Sequence, residues 1–136
     1  MLVINCTKSA ADFFTQTQGK AKQSPLETPE NKKITEDNEV CPNPGGGLST
    51  LYQWQVHAIQ ANRRHCLVVM EIKTRYSITL TNVKKGDAEG FVRNFIDRLL
   101  TNMLRYGKEL ELLTEDDFEP MLNEFTEQHA GCRFYQ

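Results

Sequence analysis

The sequence predicts an α+β fold, in which an N-terminal strand joins an antiparallel β-meander and two C-terminal helices cover one face of the sheet. In the middle of the chain, apolar and polar residues alternate, which is the period of a half-buried strand. After Asp87 the apolar residues recur about every fourth position instead, which is the period of an amphipathic helix. The chain has 136 residues, and we expect residues 1–136 to form one domain because no internal repeat or second core is visible.

The N-terminal segment predicts a strand followed by a short helical turn. Leu2–Thr7 is an apolar run that is typical of a buried strand. In the KSAADFF segment that follows, Ser9 is in place to cap a helical turn, and Asp12 stands three residues later, as in a capping box. Phe13 and Phe14 would anchor this turn to the core.

The segment Thr15–Gly47 has a different character. It holds four of the five prolines and almost no large apolar residues, so it buries too little to offset the ordering of its backbone. A segment of this length is either a functional flap or a tolerated insertion, and we favour a flexible insertion. The triplet Gly45–Gly47 is not a phosphate-binding loop, because no Gly-Lys-Ser/Thr follows it.

Three runs predict the meander. Trp54–Ala58 alternates, Cys66–Met70 is continuously apolar, and Tyr76–Leu80 alternates again. The breaks between them, ANRR and EIKT, have the length of tight connections. An alternative is a helix capped by Ser49, whose apolar stripe would be Leu51, Trp54, Ala58 and Ala61. We favour strands because the later runs are β-branched and the break at Asn62 is sharp.

The C-terminal third predicts two helices. The first runs over Asp87–Arg105 and ends at Gly107, which is typical of a helix stop. Its apolar face combines Phe91, Phe95, Leu99 and Met103 with the flanking Val92, Ile96, Leu100 and Leu104. The second starts at Thr114, with acidic residues over its first turn, and either restarts or kinks at Pro120.

The end of the chain predicts a final strand. We expect Met121, Leu122 and Phe125 to face inward and Gly131 to end the second helix. CRFYQ then has the composition of a strand. An unfinished edge strand invites pairing with another chain, so the sequence predicts a possible homo-oligomer formed through this strand.

The charge and hydropathy of the chain limit its partners. With 16 basic and 18 acidic residues, the net charge is -2, which gives no general attraction to phosphate backbones or anionic lipid. No apolar run approaches the roughly 20 residues that cross a bilayer, and the N-terminus lacks the pattern of a secretory signal. We therefore expect a cytoplasmic protein with no membrane partner.

Two segments together resemble an uncharacterised bacterial family. The opening LVINCTK is similar to a strand that ends in Cys-Thr-x-Lys. The stretch from Trp54 through Asn62-Arg63-Arg64 to Thr74 is similar to the family pattern of Trp-x-Ala, Asn-Arg-Arg-Lys, an apolar strand and a threonine. The family is a domain of unknown function found in bacteria and mobile elements, so the resemblance implies ancestry and no activity.

The resemblance has departures. Val56 stands where the family commonly has alanine, and His65 stands where it has lysine. Family members continue past the final helix, whereas this sequence ends at Gln136. The resemblance therefore implies a shortened member or a variant encoded on a gene cassette.

Asn62, Arg63 and Arg64, together with His57, are the candidate binding residues. Two guanidinium groups on a turn can hold a phosphate or carboxylate through paired hydrogen bonds. The alternative, which we favour, is that asparagine supplies the turn and the arginines are solvated strand ends. An enzyme or ligand-binding protein would place these residues at the rim of a pocket between sheet and helix.

Other combinations of residues argue against catalysis and metal binding. The four cysteines, Cys6, Cys41, Cys66 and Cys132, have no zinc-ligand spacing, and neither do the three histidines, His57, His65 and His129. We expect Cys6 and Cys66 to be small buried side chains and Cys41 to be exposed. A Cys66–His57 nucleophile and base would need a strand register that the sequence does not fix. No cofactor or metal is expected, and the sequence argues against an enzyme.

Basic residues could gather at one end of the meander. Arg63–Arg64, Lys73, Arg75 and Lys84–Lys85 would then form a positive patch on an acidic protein. No recognition helix or aromatic RNA-binding motif accompanies them, so nucleic acid is the third hypothesis. The leading hypothesis is a non-enzymatic interaction module for an unknown protein partner, from an accessory or mobile-element gene. A small-ligand-binding protein or enzyme is the second.

Overall fold

The computed structural model describes residues 2–27, 40–42, 48–50 and 52–136. The helices are α1 (Lys8–Phe14), α2 (Ala88–Glu109) and α3 (Phe118–Ala130), and a 3₁₀ turn over Glu115–Asp117 precedes α3. The strands are β1 (Leu2–Cys6), β2 (Gln16–Gln18), β3 (Ala21–Gln23), β4 (Leu26–Glu27), β5 (Val40–Pro42), β6 (Leu48–Thr50), β7 (Tyr52–Ala61), β8 (Arg64–Glu71), β9 (Ser77–Leu80) and β10 (Arg133–Tyr135).

A mixed six-stranded sheet in the order β4-β10-β1-β7-β8-β9 forms the centre of the fold. The meander is confirmed, since β7, β8 and β9 pair antiparallel in sequence. The helical alternative for the region after Ser49 is wrong, because Tyr52–Ala61 is a strand of ten residues. The N-terminal strand lies inside the sheet and runs parallel to both of its neighbours, β10 and β7.

The C-terminal strand β10 is not an edge. It pairs in parallel with β1 on one side and with β4 on the other. Nη1 of Arg133 also donates hydrogen bonds to both carboxylate oxygens of Glu27 on β4, at 2.9 and 3.0 Å. The prediction of an unfinished edge at β10 is therefore wrong, because a two-residue strand from the supposed insertion covers it. Self-association stays a prediction, without an open β10 edge to support it.

The supposed insertion contains regular structure where it is described. β2 and β3 form a small hairpin around Gly19, whose φ of +62° suits glycine. β5 and β6 form a second one. The sequence missed these strands because they are short and polar, with β2 and β3 fully exposed. Residues 28–39 and 43–47, including the glycine triplet, lie outside the described residues.

One face of the sheet carries the core. Strand alternation and register place Ile4, Trp54, Val56, Val69 and Ile78 on the same side, and all are buried. The aromatic residues of α1 and α2 pack onto this side through edge-to-face ring contacts. The predicted α+β class, with helices on one face, is confirmed, and α1 covers that face as well.

Thr7, not Ser9, caps α1. The Thr7 hydroxyl accepts a hydrogen bond from the Ala10 backbone N–H at 3.5 Å, so the helix begins at Lys8, before the predicted cap. Ser9 lies inside the first turn, where its hydroxyl is available to the neighbouring strand. Phe13 and Phe14 are buried, as predicted.

α2 begins as predicted and continues further. Asp87 caps it by accepting a hydrogen bond from the Gly90 N–H at 2.8 Å, but the helix runs through Gly107 to Glu109. A Cβ at Gly107 would stand 2.2 Å from Cδ1 of Leu113. This glycine is therefore present for close packing, and the prediction that it stops the helix is wrong.

α3 restarts after the 3₁₀ turn, which is one of the two alternatives predicted at Pro120. Asp117 accepts hydrogen bonds from the N–H and hydroxyl of Thr114, at 2.7 and 3.0 Å. Because these bonds favour the ionised form, the pKa of Asp117 is lowered. Met121 is half-buried, but Leu122 is 46% exposed, so its predicted inward orientation is wrong. Gly131 ends the helix as predicted.

Candidate functional site

Asn62 and Arg63 form the two-residue turn between β7 and β8. Both have left-handed backbone, with φ of 50° and 63°, as a type I′ hairpin turn requires. Ala61 and Arg64 pair directly beside the turn. Both arginines are exposed. The predicted turn is confirmed, and a grip on phosphate or carboxylate stays a prediction.

His57 contacts the first turn of α1 rather than the arginines. Its Nδ1 lies 3.0 Å from the Thr7 hydroxyl and 3.1 Å from the Ser9 hydroxyl. The Ser9 hydroxyl also accepts a hydrogen bond from the Ala58 N–H at 3.2 Å. These contacts lie where β1 has ended and β7 continues beyond it. The Ser9 hydroxyl thus provides an acceptor for a backbone N–H of β7 beyond the end of β1. The sequence did not indicate this role.

His57 is not brought together with Asn62, Arg63 and Arg64. His57 lies opposite Val68, and Arg64 stands four residues before Val68 on β8. At about 3.3 Å per residue, roughly 13 Å of strand separates them. None of the four predicted residues lines the apolar cavity that lies between the sheet and the helices.

Cys66 and His57 share a face of the sheet without being opposite each other. Cys66 lies across from Ile59, two residues beyond His57, and the imidazole Nδ1 faces α1 instead. His65 lies on the other face, with its ring centroid 5.2 Å from that of Phe13. The register therefore places no histidine opposite the Cys66 thiol to act as its base.

Cys6 and Cys132 carry protonated thiols. Burial, with a smaller contribution from Cys132, raises the pKa of Cys6 from 9.0 to about 12, and burial raises the pKa of Cys132 to about 12. Because the thiolate is the nucleophile, these thiols act as small apolar groups at neutral pH. Cys6 is buried as predicted, Cys66 is only half-buried, and the side chain of Cys41 lies outside those described.

The predicted basic patch is divided between the two ends of the sheet. Arg63–Arg64 lies at the start of β8, whereas Lys73 and Arg75 follow its end. These ends are roughly 24 Å apart along the strand. Lys84–Lys85 follows β9, whose last residue pairs near the start of β8. The single positive patch that the sequence suggested is therefore not formed.

The described part of the chain contains neither a cluster of metal ligands nor a helix suited to a membrane. No three of the His, Cys, Asp and Glu side chains described there lie close enough together to hold a metal ion. The side chain of His129 is not among those described. None of the described helices has the length and apolarity that crossing a bilayer requires.

An apolar cavity of about 540 Å³ lies between the sheet and the two C-terminal helices. Tyr52 and Trp54 of β7 form its floor, Phe95 and Leu99 belong to the wall made by α2, and Phe125 belongs to the wall made by α3. Small-molecule sites have volumes of roughly 300–1,000 Å³ and mainly apolar linings. The cavity has the size and lining of such a site.

The cavity exists because α2 extends beyond the part of its face that the sheet covers. Phe91 and Phe95 are fully buried against the sheet. One and two turns later, Leu99 is half-buried and Met103 is 40% exposed. α3 packs against α2 and so roofs the space that remains.

Polar groups meet at one end of the cavity. Tyr52 is the first residue of β7 and Glu71 the last of β8, so the antiparallel pairing places them at the same end of the sheet. The Tyr52 hydroxyl donates a hydrogen bond to Glu124 of α3. Glu71 accepts hydrogen bonds from the N–H and hydroxyl of Thr74, at 2.5 and 2.6 Å. All four residues line the cavity.

The Glu71 carboxylate is held in its ionised form. Partial burial raises its pKa, but the hydrogen bonds from Thr74 and the backbone of Lys73, together with the Lys73 charge, outweigh that effect and lower it. Nearby, the Tyr76 hydroxyl accepts a hydrogen bond from the Asn102 amide at 2.9 Å. The polar end therefore combines a carboxylate with oriented hydroxyl groups.

The sequence indicated the walls of the cavity and left a pocket between sheet and helix as a second hypothesis, but the residues expected at its rim do not line this cavity. The signal that could have indicated it is the apolar character that continues past the predicted end of α2, at Tyr106, Leu110, Leu112 and Leu113. The width of the cavity could not have been predicted, because it depends on where α3 docks.

The fold and the cavity define an α+β protein with a ligand-sized apolar space between its sheet and its C-terminal helices. The chain belongs to the family of a domain of unknown function, DUF6933, whose sequence model matches residues 3–130. The resemblance to an uncharacterised family is thereby confirmed. Comparison with curated proteins and with solved structures gave no significant match.

Proposed function

We propose that this protein binds a small molecule with a large apolar body in the apolar cavity. The observation that carries the proposal is a space of about 540 Å³, open to solvent on one side, that is lined mainly by apolar side chains of β7, α2 and α3. A concave apolar surface of this size that stays in contact with water is unfavourable, so it needs an explanation. A bound apolar ligand supplies it, because the ligand would restore the missing contacts.

The test is a titration with N-phenylnaphthylamine, an uncharged apolar dye whose emission rises in apolar surroundings. We expect saturable binding of one dye per chain. Leu99→Trp fills the wall of the cavity and should weaken binding about tenfold or more. Met103→Trp, nearer to the exposed end of the wall, serves as a second filling variant if the first unfolds.

Thr101→Trp is the matched control. Thr101 lies on α2 close to Leu99, is exposed and does not line the apolar cavity, so the same indole should leave the affinity within about twofold of the wild type. Equal loss of binding in the variants Leu99→Trp and Thr101→Trp would overturn the proposal. So would a wild-type protein that binds the dye without saturation.

A second candidate function is docking of a protein partner, as expected of a bacterial interaction module from an accessory or mobile-element gene. The observation that favours it is a group of exposed apolar side chains on α2, α3 and the loop between them: Met103, Tyr106, Leu110, Leu112 and Leu122. Exposed apolar patches often mark contact surfaces. The simplest partner is a second copy of this chain, and sedimentation measures whether a dimer forms. If it does, Leu112→Ser and Leu122→Ser should abolish it.

A further inference from the structure

We infer that the ligand of the apolar cavity carries a cationic head, as in an amine or quaternary ammonium compound with an apolar tail. This inference rests on the proposed function and adds the charge of the ligand to it. Two features of the polar end of the cavity carry it. One is the sign of the charge there, and the other is the set of aromatic rings beside it.

The charge of the described lining is negative. Glu71 and Glu124 line the cavity, and none of the described lining residues is basic. Glu71 is the last residue of β8. Glu124 reaches the same end from α3, where its carboxylate accepts the hydrogen bond from Tyr52. A carboxylate head placed here would meet like charges, which is unfavourable, whereas a cation would be stabilised.

The described basic residues near the cavity already have partners of their own. Lys73 lies close enough to Glu71 to affect its charge but is not part of the lining. Arg105 lies over the Tyr106 ring at 5.0 Å and pairs with Glu109 at 3.4 Å. Lys108 lies over the ring of Phe118 at 5.3 Å. Among the described lining residues, no cation therefore stands beside the carboxylate of Glu124.

Aromatic rings provide the second feature. Tyr52, Trp54 and Tyr76 line the cavity at the end where Glu71 lies, since Trp54 pairs with Glu71 and the Glu71 N–H donates to the Tyr76 carbonyl at 2.9 Å. The rings of Trp54 and Tyr76 meet edge to face, with centroids 6.4 Å apart. Electron-rich ring faces attract cations, and cages of such rings bind quaternary ammonium groups.

The remaining lining suits a hydrocarbon tail. From Phe95 the α2 wall continues through Ile96 and Leu99 to Met103, and Met121 faces it from α3. These side chains offer no hydrogen-bonding group apart from the weakly accepting thioether sulfurs. A ligand would therefore lie with its head at Glu71 and its tail along α2.

The test compares three probes that share one tail: dodecyltrimethylammonium, dodecanol and dodecanoate. Each displaces N-phenylnaphthylamine from the intact protein below its micelle-forming concentration. We expect the ammonium probe to bind about tenfold more tightly than the carboxylate, with the alcohol between them. The combined variant Glu71→Gln and Glu124→Gln keeps the shape of the cavity and should remove this preference.

Glu127→Gln is the matched control, because Glu127 is an exposed acid of α3 outside the described lining. Glu127→Gln removes one negative charge, as each single substitution in the cavity does, and should keep the preference for the ammonium probe. Equal or tighter binding of dodecanoate would overturn the inference on the head group and leave the proposed function intact. Failure of the dye and of all three probes to bind would overturn both.

Discussion

The hydroxyl of Tyr52, at the start of β7, donates a hydrogen bond to the carboxylate of Glu124 on α3. This contact joins the sheet to α3 across the polar end of the apolar cavity. α3 otherwise packs against α2, so the contact helps to set how far α3 stands from the sheet. The roof of the cavity is therefore held by a polar contact at one end and by helix packing at the other.

Removal of the Tyr52 hydroxyl should loosen α3. Tyr52→Phe keeps the ring on the cavity floor and leaves Glu124 without this donor, which should lower the free energy of unfolding by about 1 kcal/mol. Amide hydrogen exchange should become faster over Phe118–Ala130. Tyr106→Phe is the control, because Tyr106 is 44% exposed, and it should leave exchange in α3 unchanged. Unchanged exchange in Tyr52→Phe would contradict the role given to this bond.

Gly107→Ala should destabilise the protein although alanine favours helices. The added Cβ would lie 2.2 Å from Cδ1 and 3.1 Å from Cβ of Leu113, so the Leu113 side chain must shift from its place against α2. Overpacking of this kind costs about 1–3 kcal/mol, which exceeds the gain in helix propensity of about 1 kcal/mol.

The background Leu113→Ala provides the control for this change. With Leu113 shortened to alanine, only the 3.1 Å approach to its Cβ remains, so Gly107→Ala should cost less there, against a gain in helix propensity of about 1 kcal/mol. A double-mutant cycle from urea unfolding measures the difference. If Gly107→Ala stabilises both backgrounds equally, the two residues do not pack as described.

The turn between β7 and β8 predicts opposite effects for two neighbouring arginines. Arg63 has a φ of 63°, which is unfavourable for a side chain with Cβ, so Arg63→Gly should stabilise by about 0.5 kcal/mol. Arg64 is paired in the strand, and Arg64→Gly should destabilise by about 1 kcal/mol. Thermal unfolding of both variants checks this, and a fall in stability for Arg63→Gly would contradict the turn conformation.

Stability should fall at alkaline pH because of Cys6. Its pKa is raised from 9.0 to about 12 in the folded state, so the unfolded chain loses this proton first. The stabilisation is complete below pH 9.0 and is lost as the pH rises towards about 12. A thiol with a raised pKa makes the free energy of unfolding fall by up to about 1.4 kcal/mol more per pH unit in this range.

The variant Cys6→Ala separates the contribution of this thiol from those of the lysines and tyrosines that titrate in the same pH range. Urea unfolding at about pH 8 and about pH 10 should show a smaller loss of stability for Cys6→Ala than for the wild type. An equal loss in both proteins would show that Cys6 titrates alike in the folded and unfolded states.

The sequence predicted the local elements well because their signals are local. Period-two alternation around Trp54 and Ile78 placed β7 and β9, and the Phe91–Phe95 spacing placed α2. The Asn62-Arg63 break gave the hairpin turn. In each case the residues that decide the structure lie within one element or one turn of each other.

The sequence could not predict what depends on contacts between distant segments. The parallel pairing of β1 with β7 and β10, and the cover that Leu26–Glu27 gives to β10, join segments far apart in the chain. Gly107 looked like a helix stop because its role depends on Leu113 packing back onto α2. The candidate binding residues were chosen because two guanidinium groups lie on one turn, whereas the cavity depends on the docking of α3.

Trp54 gives the most direct measurement of the central claim. It is the only tryptophan in the chain, it is 6% exposed, and it forms part of the cavity floor. Titration with N-phenylnaphthylamine should quench its emission by energy transfer, in parallel with the rise in dye emission and with one dye per chain. A dye that brightens while Trp54 emission is unchanged would be bound elsewhere, and the apolar cavity would not be the site.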